Sequence, residues 1–487
     1  MPAESVIGRF TSSLTARASG FPEQGARPPV RYRPSRLVVG PPRLGNMFAL
    51  MRDRLWLLEQ ASAAPGGLCE LPLLAGSVFV ASSPERIHEV LVAEADSFVK
   101  GTTFRFLRPM LGDGLLLSER AFHRRQRKLM APAFAHRRIA AYADTMAALT
   151  EKLQSGWAEG ARIDLAEQMM RVTLDIVTKT LLDADVSDDA NAVGAAVSLL
   201  IRDINARSST PIAFLRSAEP RDPKVRAAQA TLDGIMMRII HERRQSRDDR
   251  GDLLSMLLEA QEEGTGEGMS DRQVRDEAMT IFLAGHETTA NALSWAFYLL
   301  ARHPQAYERL RSEAVSVLGG RAATAADLPR LGYALQVFKE ALRLYPPAYV
   351  TSRLTTADVS IGGQTIRAGR DVLTNIYGMQ RRPEYFPEPD RFMPERFEPA
   401  AEKKIPKGAY LPFGGGARVC IGNSFALMEG QLVLATLAQR VELALETAAP
   451  IVAEPLVTLR PKGGVPMRVS RRAPAARVEV PASAPAR

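Results

Sequence analysis

The longest regular pattern in the sequence is an apolar helical segment that begins after Ser270 and ends before Pro304. Ser270 and Gln273 fit a capping box, in which the two side chains satisfy free backbone N–H groups at a helix start. Helix-forming residues continue to about His303, which gives roughly 32 residues and, at about 1.5 Å each, roughly 48 Å. The sequence therefore predicts a helix long enough to cross a whole domain.

Shorter patterns before and after this helix predict further elements. Helical periodicity recurs at residues 47–61, 140–265, 335–344 and 425–443. Ser83 and Pro84 open one more helix, with serine as the N-cap and proline at the first helical position. Alternating apolar residues predict short strands within 69–81, a hairpin at 359–366 and a closing hairpin at 458–464.

Composition limits the class of protein. The chain has 487 residues, 46% of them hydrophobic, which is enough for one large domain or a few average ones. No run of about eighteen apolar residues occurs, so we expect no membrane span. The two cysteines, Cys69 and Cys420, are far apart, which excludes a disulfide framework and fits a reducing compartment. We therefore expect a cytoplasmic protein.

Positive charge is concentrated at the two ends of the sequence. Residues 1–40 carry six Arg against two Glu, and residues 460–487 carry six Arg and one Lys against one Glu. These ends contribute +4 and +6 to a total of +9, so the residues between them are close to neutral. A neutral body with basic ends argues against a nucleic-acid-binding fold.

The same composition divides the chain into three parts. We expect a basic, disordered tail at 1–40, a single folded domain at 41–470 and an Ala/Pro/Arg-rich tail at 471–487. The first part is rich in Ser, Pro, Ala and Arg and low in acidic residues. An organellar transit peptide has similar chemistry. The prolines and the lack of an amphipathic period favour a plain tail.

The strongest chemical signal is the glycine-rich segment 413–422, which contains Cys420. A cysteine held between glycines, with Arg418 two residues before it, is suited to present its sulfur. Nearby cations and backbone N–H groups lower the pKa of a thiol, so Cys420 is interpreted as an anionic metal ligand. Glycine also lets the backbone approach a flat cofactor closely. The segment has five characteristic residues at fixed spacing, which are Phe413, Gly416, Arg418, Cys420 and Gly422. The probability that such a pattern occurs by chance in a chain of this length is on the order of 10⁻⁴.

A second signal lies at the middle of the long helix, in residues 284–289. Here Ala-Gly-His-Glu-Thr-Thr interrupts an apolar stretch, and buried polar groups are costly without partners. A hydroxyl beside a carboxylate can relay protons into a dry pocket. We expect Gly285 to loosen the helix locally and admit a water, and His286 to be a structural or surface residue.

Together these segments resemble the cytochrome P450 family. Residues 413–422 match the cysteine-ligand loop F-x-x-G-x-R-x-C-x-G, and residues 284–289 are similar to the oxygen-activation motif A-G-x-[DE]-T-[TS]. Glu340 and Arg343 resemble E-x-x-R, and 394–397 resembles P-E-R-F, which together imply a structural network with Arg396. The resemblance implies a mainly α fold with a small β-rich lobe, and haem between the long central helix and the cysteine loop.

The resemblance also implies roles for individual residues. Cys420 would bind the haem iron, with Phe413 shielding its sulfur, and Thr288 and Glu287 would relay protons as the catalytic pair. His123 stands where the family usually has Trp, and its imidazole would still donate to a haem propionate. The remaining cofactor-binding residues implied by the resemblance are Arg127, Arg353 and Arg418 for the propionates, and Gly414, Gly422 and Ala284.

The function implied is that of a soluble, bacterial-type monooxygenase with heme b. It would use O2 and two electrons from an external ferredoxin or flavodoxin with its reductase, since we expect no fused flavin domain. The substrate would be a lipophilic small molecule such as a fatty acid, terpenoid or polyketide, and hydroxylation the reaction. Two alternatives stay open, namely a peroxide-driven haem-thiolate peroxygenase and a non-catalytic haem-binding or gas-sensing protein.

Overall fold

The computed structural model describes residues 42–472 except 75, 184–189, 209–216, 247–249, 251 and 261–267. The basic tail predicted at 1–40 lies outside the described residues. So does the tail predicted at 471–487, apart from its first two residues. Among the described residues, no helix has the length and apolar content needed to cross a membrane.

Helices make up most of the described chain, which confirms the predicted fold class. The α-helices are α1 (Pro42–Arg52), α2 (Arg54–Ser62), α3 (Pro84–His88), α4 (Arg108–Leu111), α5 (Arg120–Met130), α6 (His136–Ala141), α7 (Ala143–Ser155), α8 (Leu165–Leu181), α9 (Ala190–Ser208), α10 (Pro223–Ser246), α11 (Leu253–Glu259), α12 (Asp271–Arg302), α13 (Pro304–Leu318), α14 (Gly332–Leu344), α15 (Ile376–Met379), α16 (Pro399–Glu402) and α17 (Asn423–Ala438).

The strands are short and collect into small sheets. They are β1 (Leu68–Leu73), β2 (Gly76–Ala81), β3 (Phe98–Lys100), β4 (Arg162–Asp164), β5 (Thr351–Thr355), β6 (Val359–Ile361), β7 (Gln364–Ile366), β8 (Asp371–Thr374), β9 (Val441–Leu445), β10 (Ala453–Pro455), β11 (Leu459–Pro461) and β12 (Pro466–Arg471). The largest sheet has the order β1-β2-β8-β5-β3, in which only β2 and β8 are parallel. A second sheet has the order β4-β12-β9, and β6–β7 and β10–β11 are separate hairpins.

The long helix α12 forms the centre of the helical part, as its pattern predicts. Ser270 caps it, and the predicted capping box with Gln273 is present. Its C-terminal half is buried, and Trp295 stacks on Tyr345 of the segment that follows α14, with ring centroids 4.0 Å apart. Helix α8 packs against α12 so closely that a Cβ on Gly285 would lie 2.7 Å from Val177. The helix is regular at Gly285, so the expected local loosening is not found. The close approach of α8 explains why this position holds a glycine.

Two predicted helix boundaries were wrong. Residues 47–61 form two helices, because Asp53 leaves the helical conformation and its side chain accepts from the Trp56 N–H to cap α2. The helix predicted at 425–443 ends at Ala438, and Val441 begins strand β9, which pairs with β12. Apolar residues continue through both elements, so periodicity alone did not separate them.

The ion pair of Glu340 and Arg343 lies inside the protein, where both side chains are completely buried. Two bonds join their side-chain atoms, at 2.7 and 2.8 Å. Arg396 approaches Glu340 at 3.4 Å, and the Met393 N–H donates to the same carboxylate. Arg343 also donates to backbone carbonyls of the segment that leads to the cysteine loop, including that of Pro389. This network fixes the path of the chain before Cys420.

Candidate active site

The loop around Cys420 is held by its own backbone. The Cys420 N–H donates to the Phe413 carbonyl oxygen at 2.9 Å, which closes the loop. Gly414 has φ +71°, in the left-handed region that favours glycine. Gly422 immediately precedes α17, and the Cys420 side chain is exposed. A closed loop therefore presents this sulfur to open space.

The surroundings of Cys420 act on its thiol in both directions. Although the Cys420 side chain is exposed, protein surrounds it on most sides, and this burial raises the pKa of the thiol. The Gly422 backbone N–H and Arg127 lower the same pKa. The sequence predicted the effect of a nearby cation but assigned it to Arg418, and the structure places Arg127 in that role. The protein alone therefore favours the protonated thiol. A bound metal ion would deprotonate the sulfur by coordination.

The predicted propionate ligands Arg127, Arg353 and Arg418 lie in one cluster. Arg127, on α5, donates to the Val419 carbonyl oxygen at 2.8 Å, next to Cys420. Arg353, on β5, is buried and lies close enough to Arg418 for this neighbour to lower its pKa. Arg418 pairs with Glu119, the residue before α5. The helix, the sheet and the cysteine loop each contribute a cation to this cluster.

Lys100 belongs to the same cluster, although the sequence analysis did not identify it. It lies directly opposite Arg353 in the antiparallel pair β3–β5, an arrangement that is destabilising for like charges. Burial, Arg353 and Arg418 lower the pKa of Lys100 well below its usual value. Only the register of two strands far apart in sequence brings it here, so no local signal could have found it.

His123 is buried within this cluster. Burial, with the charges of Arg418, Lys100 and Arg127, lowers its pKa to about 4. Its imidazole is therefore neutral at pH 7 and adds no further charge. A neutral ring has one N–H to donate, which fits the donation expected from the family resemblance.

The cluster carries more positive than negative charge. Glu119 is the acidic group that acts on the pKa values of Lys100, Arg353 and Arg418, and it raises each of them. Burial and Arg418 lower the pKa of Arg353 to about 10, and Arg418 keeps its Nη1 atom buried without a hydrogen-bond partner. A buried surplus of cations is costly unless an anion neutralises it. The two carboxylates of a haem group fit this surplus and the unpaired donor.

The middle of α12 is open although the residues on both sides of it are buried. Ala284 is exposed, and Gly285 and Thr288 are partly exposed, whereas Leu283 and Thr289 are buried. The Thr288 hydroxyl donates to the Ala284 carbonyl oxygen at 2.7 Å. Within a packed domain, exposure at the centre of such a helix indicates an internal space.

The carboxylate of Glu287 is held by the β10–β11 hairpin. Thr458 donates to its Oε1 at 2.5 Å, and Arg460 donates to the same oxygen from two nitrogens, at 2.7 and 3.0 Å. Asn291, one turn further along α12, donates to the Thr458 hydroxyl at 3.2 Å. Glu287 is therefore anchored beside Thr288. The hairpin predicted at 458–464 was wrong, because Leu459–Pro461 pairs with the preceding strand β10 and β12 belongs to another sheet.

The segment after α14 lines the same region. The Leu459 N–H donates to the Pro347 carbonyl oxygen at 3.0 Å, which places residues 347–350 beside the hairpin. Ala348 is exposed and Val350 partly exposed, whereas Tyr349 is buried and donates to the Leu456 carbonyl oxygen. The Tyr349 side chain is therefore directed at the turn of the β10–β11 hairpin.

Two further polar residues near the cysteine loop have structural positions. Gln380 is buried and joins α14 to the segment before the loop, because its amide nitrogen donates to the Leu342 carbonyl oxygen and its amide oxygen accepts from the Leu411 N–H. Glu429, on α17, lies against Thr289 of α12, and burial raises its pKa well above the usual value. This contact connects the helix after Cys420 to the middle of α12, so the open region and the exposed sulfur lie on adjoining elements.

Comparisons with known proteins agree with this geometry. A family model described as cytochrome P450 matches residues 38–466. The chain is 39% identical to cyclooctatin synthase of Streptomyces melanosporofaciens, over 82% of this chain and 88% of that protein. It is 36% identical to cyclooctat-9-en-7-ol 5-monooxygenase of the same organism, over 88% and 93%. It is 31% identical to pentalenene oxygenase of Streptomyces avermitilis, over 89% and 96%.

A solved structure gives the same result for the fold. The crystal structure of the cytochrome P450DA heme domain superposes with a TM-score of 0.80 and 28% identity, over 91% of this chain and 98% of that one. The open cysteine, the buried cations beside it and these relatives lead to one conclusion. The chain belongs to the cytochrome P450 family and is a haem-thiolate monooxygenase.

Proposed function

We propose that this chain hydroxylates a terpenoid, with heme b held by Cys420 and the cation cluster. The surplus of buried positive charge beside an exposed cysteine is the observation that carries the cofactor assignment. Lys100, Arg127, Arg353 and Arg418 would neutralise the propionates, and Phe413, Gly414, Gly422 and Ala284 would contact the ring or its sulfur ligand. Bound haem would supply the activation of O2.

Thr288 and Glu287 would handle protons at this site. In the protein described, the Thr288 hydroxyl is directed to the Ala284 carbonyl oxygen and Glu287 is held by Arg460 and Thr458. A proton from solvent would reach Thr288 by rotation of Glu287 away from Arg460 and Thr458. Arg460 thus sets how readily this carboxylate moves, and the sequence analysis assigned it no role.

A terpenoid substrate is supported by the relatives and by the lining of the site. Three relatives are named for cyclooctatin, cyclooctat-9-en-7-ol and pentalenene. The exposed Ala284 and Ala348 and the partly exposed Val350 have small, apolar side chains. Such walls leave space for a bulky hydrocarbon and offer it few hydrogen bonds, so shape would determine which carbon is attacked.

An acidic ferredoxin or flavodoxin, with its reductase, would supply the electrons. Arg124 and Lys128 lie one turn apart on α5 with exposed side chains. The same helix carries Arg127, which contacts the backbone beside Cys420. A basic surface so close to the cysteine loop would accelerate the encounter with an acidic partner.

The test is reconstitution of the haem-loaded protein with a ferredoxin, its reductase and a panel of terpenoids, fatty acids and polyketides. We expect a terpenoid to shift the haem absorption spectrum and to yield a product heavier by one oxygen atom in mass spectrometry. Turnover of only fatty acids or polyketides would contradict the substrate proposal. Hydrogen peroxide alone, if it gave the same rate, would indicate the peroxygenase alternative.

Thr288→Ala tests the proton relay in the same assay. We expect the variant to consume reducing equivalents while forming less product, because the hydroxyl that delivers protons is absent. Thr355→Ala is a suitable control, since this hydroxyl lies on strand β5 and, among the described residues, its bonds are to backbone atoms of residues 367 and 370. Equal product per electron in wild type and Thr288→Ala would contradict the assigned role.

A further inference from the structure

Residues 112–118, which join α4 to α5, lie against the N-terminal half of α12, and we call them the strap. Two neighbouring carboxylates of α12 accept hydrogen bonds from its backbone. The Asp113 N–H donates to Asp276 at 2.9 Å, and the Leu115 N–H donates to Glu277 at 2.8 Å. Both carboxylate side chains are buried. The strap is therefore attached to the central helix at two adjacent points.

Two glycines allow the strap to approach α12 this closely. A Cβ on Gly112 would overlap the Asp276 carboxylate, and the φ of Gly112, +57°, lies in the left-handed region that favours glycine. A Cβ on Gly114 would overlap the Thr280 hydroxyl. Any larger residue at either position would have to move the strap away from the helix.

The strap lies between a surface cleft and the open centre of α12. The cleft has a volume of about 480 Å³ and is lined in part by the strap and by Gln273 and Asp276 of α12. Along the helix, the strap reaches Thr280, where Gly114 packs, and the exposed Ala284 follows one turn later. Movement of the strap away from α12 would therefore connect the cleft to the internal space beside Ala284.

Glu277 lies on the same face of α12 as the residues that open to this space. It precedes Ala284 by seven residues and Thr288 by eleven, which are close to two and three turns of about 3.6 residues. Burial raises the pKa of Glu277 to about 8, although the hydrogen bond from the Leu115 N–H lowers it, so the carboxyl is mostly neutral at pH 7. Its Oε1 atom is buried without a hydrogen-bond partner among the described residues. Opening of the strap would give this oxygen water, which makes opening less unfavourable.

The chain is anchored on both sides of the strap. Before it, the Gln229 side chain of α10 donates to the Pro109 carbonyl oxygen at 2.7 Å. After it, Glu119 accepts from the Lys100 N–H at 2.6 Å and pairs with Arg418. Opening would therefore be confined to the strap, while α4 and the cation cluster keep their positions.

We propose that Asp276 and Glu277 are positioning residues that hold the strap closed on α12, and that bulky ligands enter between the strap and α12 when it opens. The inference goes beyond the monooxygenase activity, and it does not depend on which substrate is used. A ligand of two atoms needs far less space than a terpenoid. Release of the strap should therefore accelerate the entry of bulky ligands and leave the entry of small ones unchanged.

Stopped-flow absorption of the full-length, haem-loaded protein measures entry. The bulky probe is 4-phenylimidazole, whose ring nitrogen is a ligand for haem iron, and the small probe is CO added to the reduced protein. Glu277→Leu removes the acceptor of the Leu115 N–H. We expect it to raise the association rate of 4-phenylimidazole about two- to tenfold, the factor that corresponds to one hydrogen bond, with an unchanged rate for CO.

Two further variants are matched to this one. Glu277→Gln keeps an acceptor for the Leu115 N–H and resembles the neutral carboxyl, so we expect the wild-type rate. Glu313→Leu removes a carboxylate that also accepts from backbone N–H groups, those of Tyr333 and Ala334, but lies on α13. We expect both association rates to be unchanged in this variant.

Hydrogen–deuterium exchange, read by mass spectrometry, separates opening of the strap from the loss of one bond. The acceptor of the Asp113 N–H is Asp276, which Glu277→Leu leaves in place. If the strap opens as a unit, exchange at the Asp113 amide should also rise about two- to tenfold in Glu277→Leu. Glu277→Gln should keep the wild-type exchange rate at this amide.

Three results would overturn the proposal. These are an unchanged 4-phenylimidazole rate in Glu277→Leu, an equal rise in the CO rate, and unchanged exchange at the Asp113 amide. If Glu277→Leu lost its haem or its far-ultraviolet circular dichroism, Gly114→Ala would replace it, because the added Cβ displaces the strap; the same three results would then overturn the proposal. These measurements require no turnover, so their failure is distinct from a failure of the proposed function.

Discussion

Replacing Arg353 by Met should change the stability of the haem-free protein and its affinity for haem in opposite directions. Arg353 is buried directly opposite Lys100 and close to Arg418, and its pKa is lowered to about 10. At about 1.4 kcal/mol per pKa unit, the charged guanidinium costs the folded protein roughly 3 kcal/mol. Methionine fills a similar volume without the charge.

Two hydrogen bonds reduce this gain. Arg353 donates to the Thr351 hydroxyl and to the Ser352 carbonyl oxygen, both at 2.9 Å. Each contributes about 0.5–1.5 kcal/mol. Together they offset about 1–3 of the roughly 3 kcal/mol, so the haem-free variant should be more stable than the haem-free wild type by about 0–2 kcal/mol. Haem binding should weaken by about 10- to 100-fold, because a hydrogen bond to a charged group contributes about 1.5–3 kcal/mol.

Urea unfolding of the haem-free proteins and titration of each with haem measure the two effects. Arg367→Met is the matched control, since the Arg367 side chain is 82% exposed and its one ion pair among the described residues, with Asp358 at 3.7 Å, is long and open to solvent. We expect it to change the free energy of unfolding by less than about 0.5 kcal/mol. A haem-free Arg353→Met protein that is less stable than wild type, with unchanged affinity for haem, would refute the argument that the cluster is built for an anion.

Two other substitutions test the structure away from the cluster. Glu340→Ala should lower the free energy of unfolding by about 3–5 kcal/mol, because it leaves Arg343 charged and completely buried without its carboxylate partner. A smaller loss, measured by urea unfolding, would show that the backbone carbonyls bonded to Arg343 are sufficient to stabilise its charge. Burial raises the pKa of Glu277 from about 4.5 to about 8, so wild-type stability should fall as pH rises between these values. Glu277→Gln should remove this pH dependence, which is measured by urea unfolding of both proteins at about pH 5.5 and pH 8. An equal loss of unfolding free energy in wild type and variant between these pH values would contradict the assignment to Glu277.

The features that the sequence predicted are those with a local signal. The capping box at Ser270, the glycines around Cys420 and the turn at 362–363 each act within a few residues. The break at Asp53 also had such a signal, because aspartate is a favoured N-cap, but the continuous apolar period concealed it.

The features that the sequence did not predict depend on pairing between distant segments. Arg460 reaches Glu287 across 173 positions, and Lys100 meets Arg353 only through the register of β3 and β5. Glu429 faces Thr289 because α17 packs on α12. The sequence around a charged residue in an ordinary strand or helix does not indicate which distant residue will pack against it. The glycine-rich loop that exposes Cys420 was therefore predictable, whereas the electrostatic balance around it was not.

The absorption spectrum of the reduced, CO-treated protein tests the central claim most directly, with wild type and Cys420→Ser measured side by side. Cys69 offers a matched control, because it is buried and burial raises the pKa of its thiol to about 11. We expect a strongly red-shifted Soret band in wild type and Cys69→Ser, and its loss in Cys420→Ser. A Soret band that is absent from wild type, or unchanged by Cys420→Ser, would contradict the assignment of Cys420 as the haem ligand.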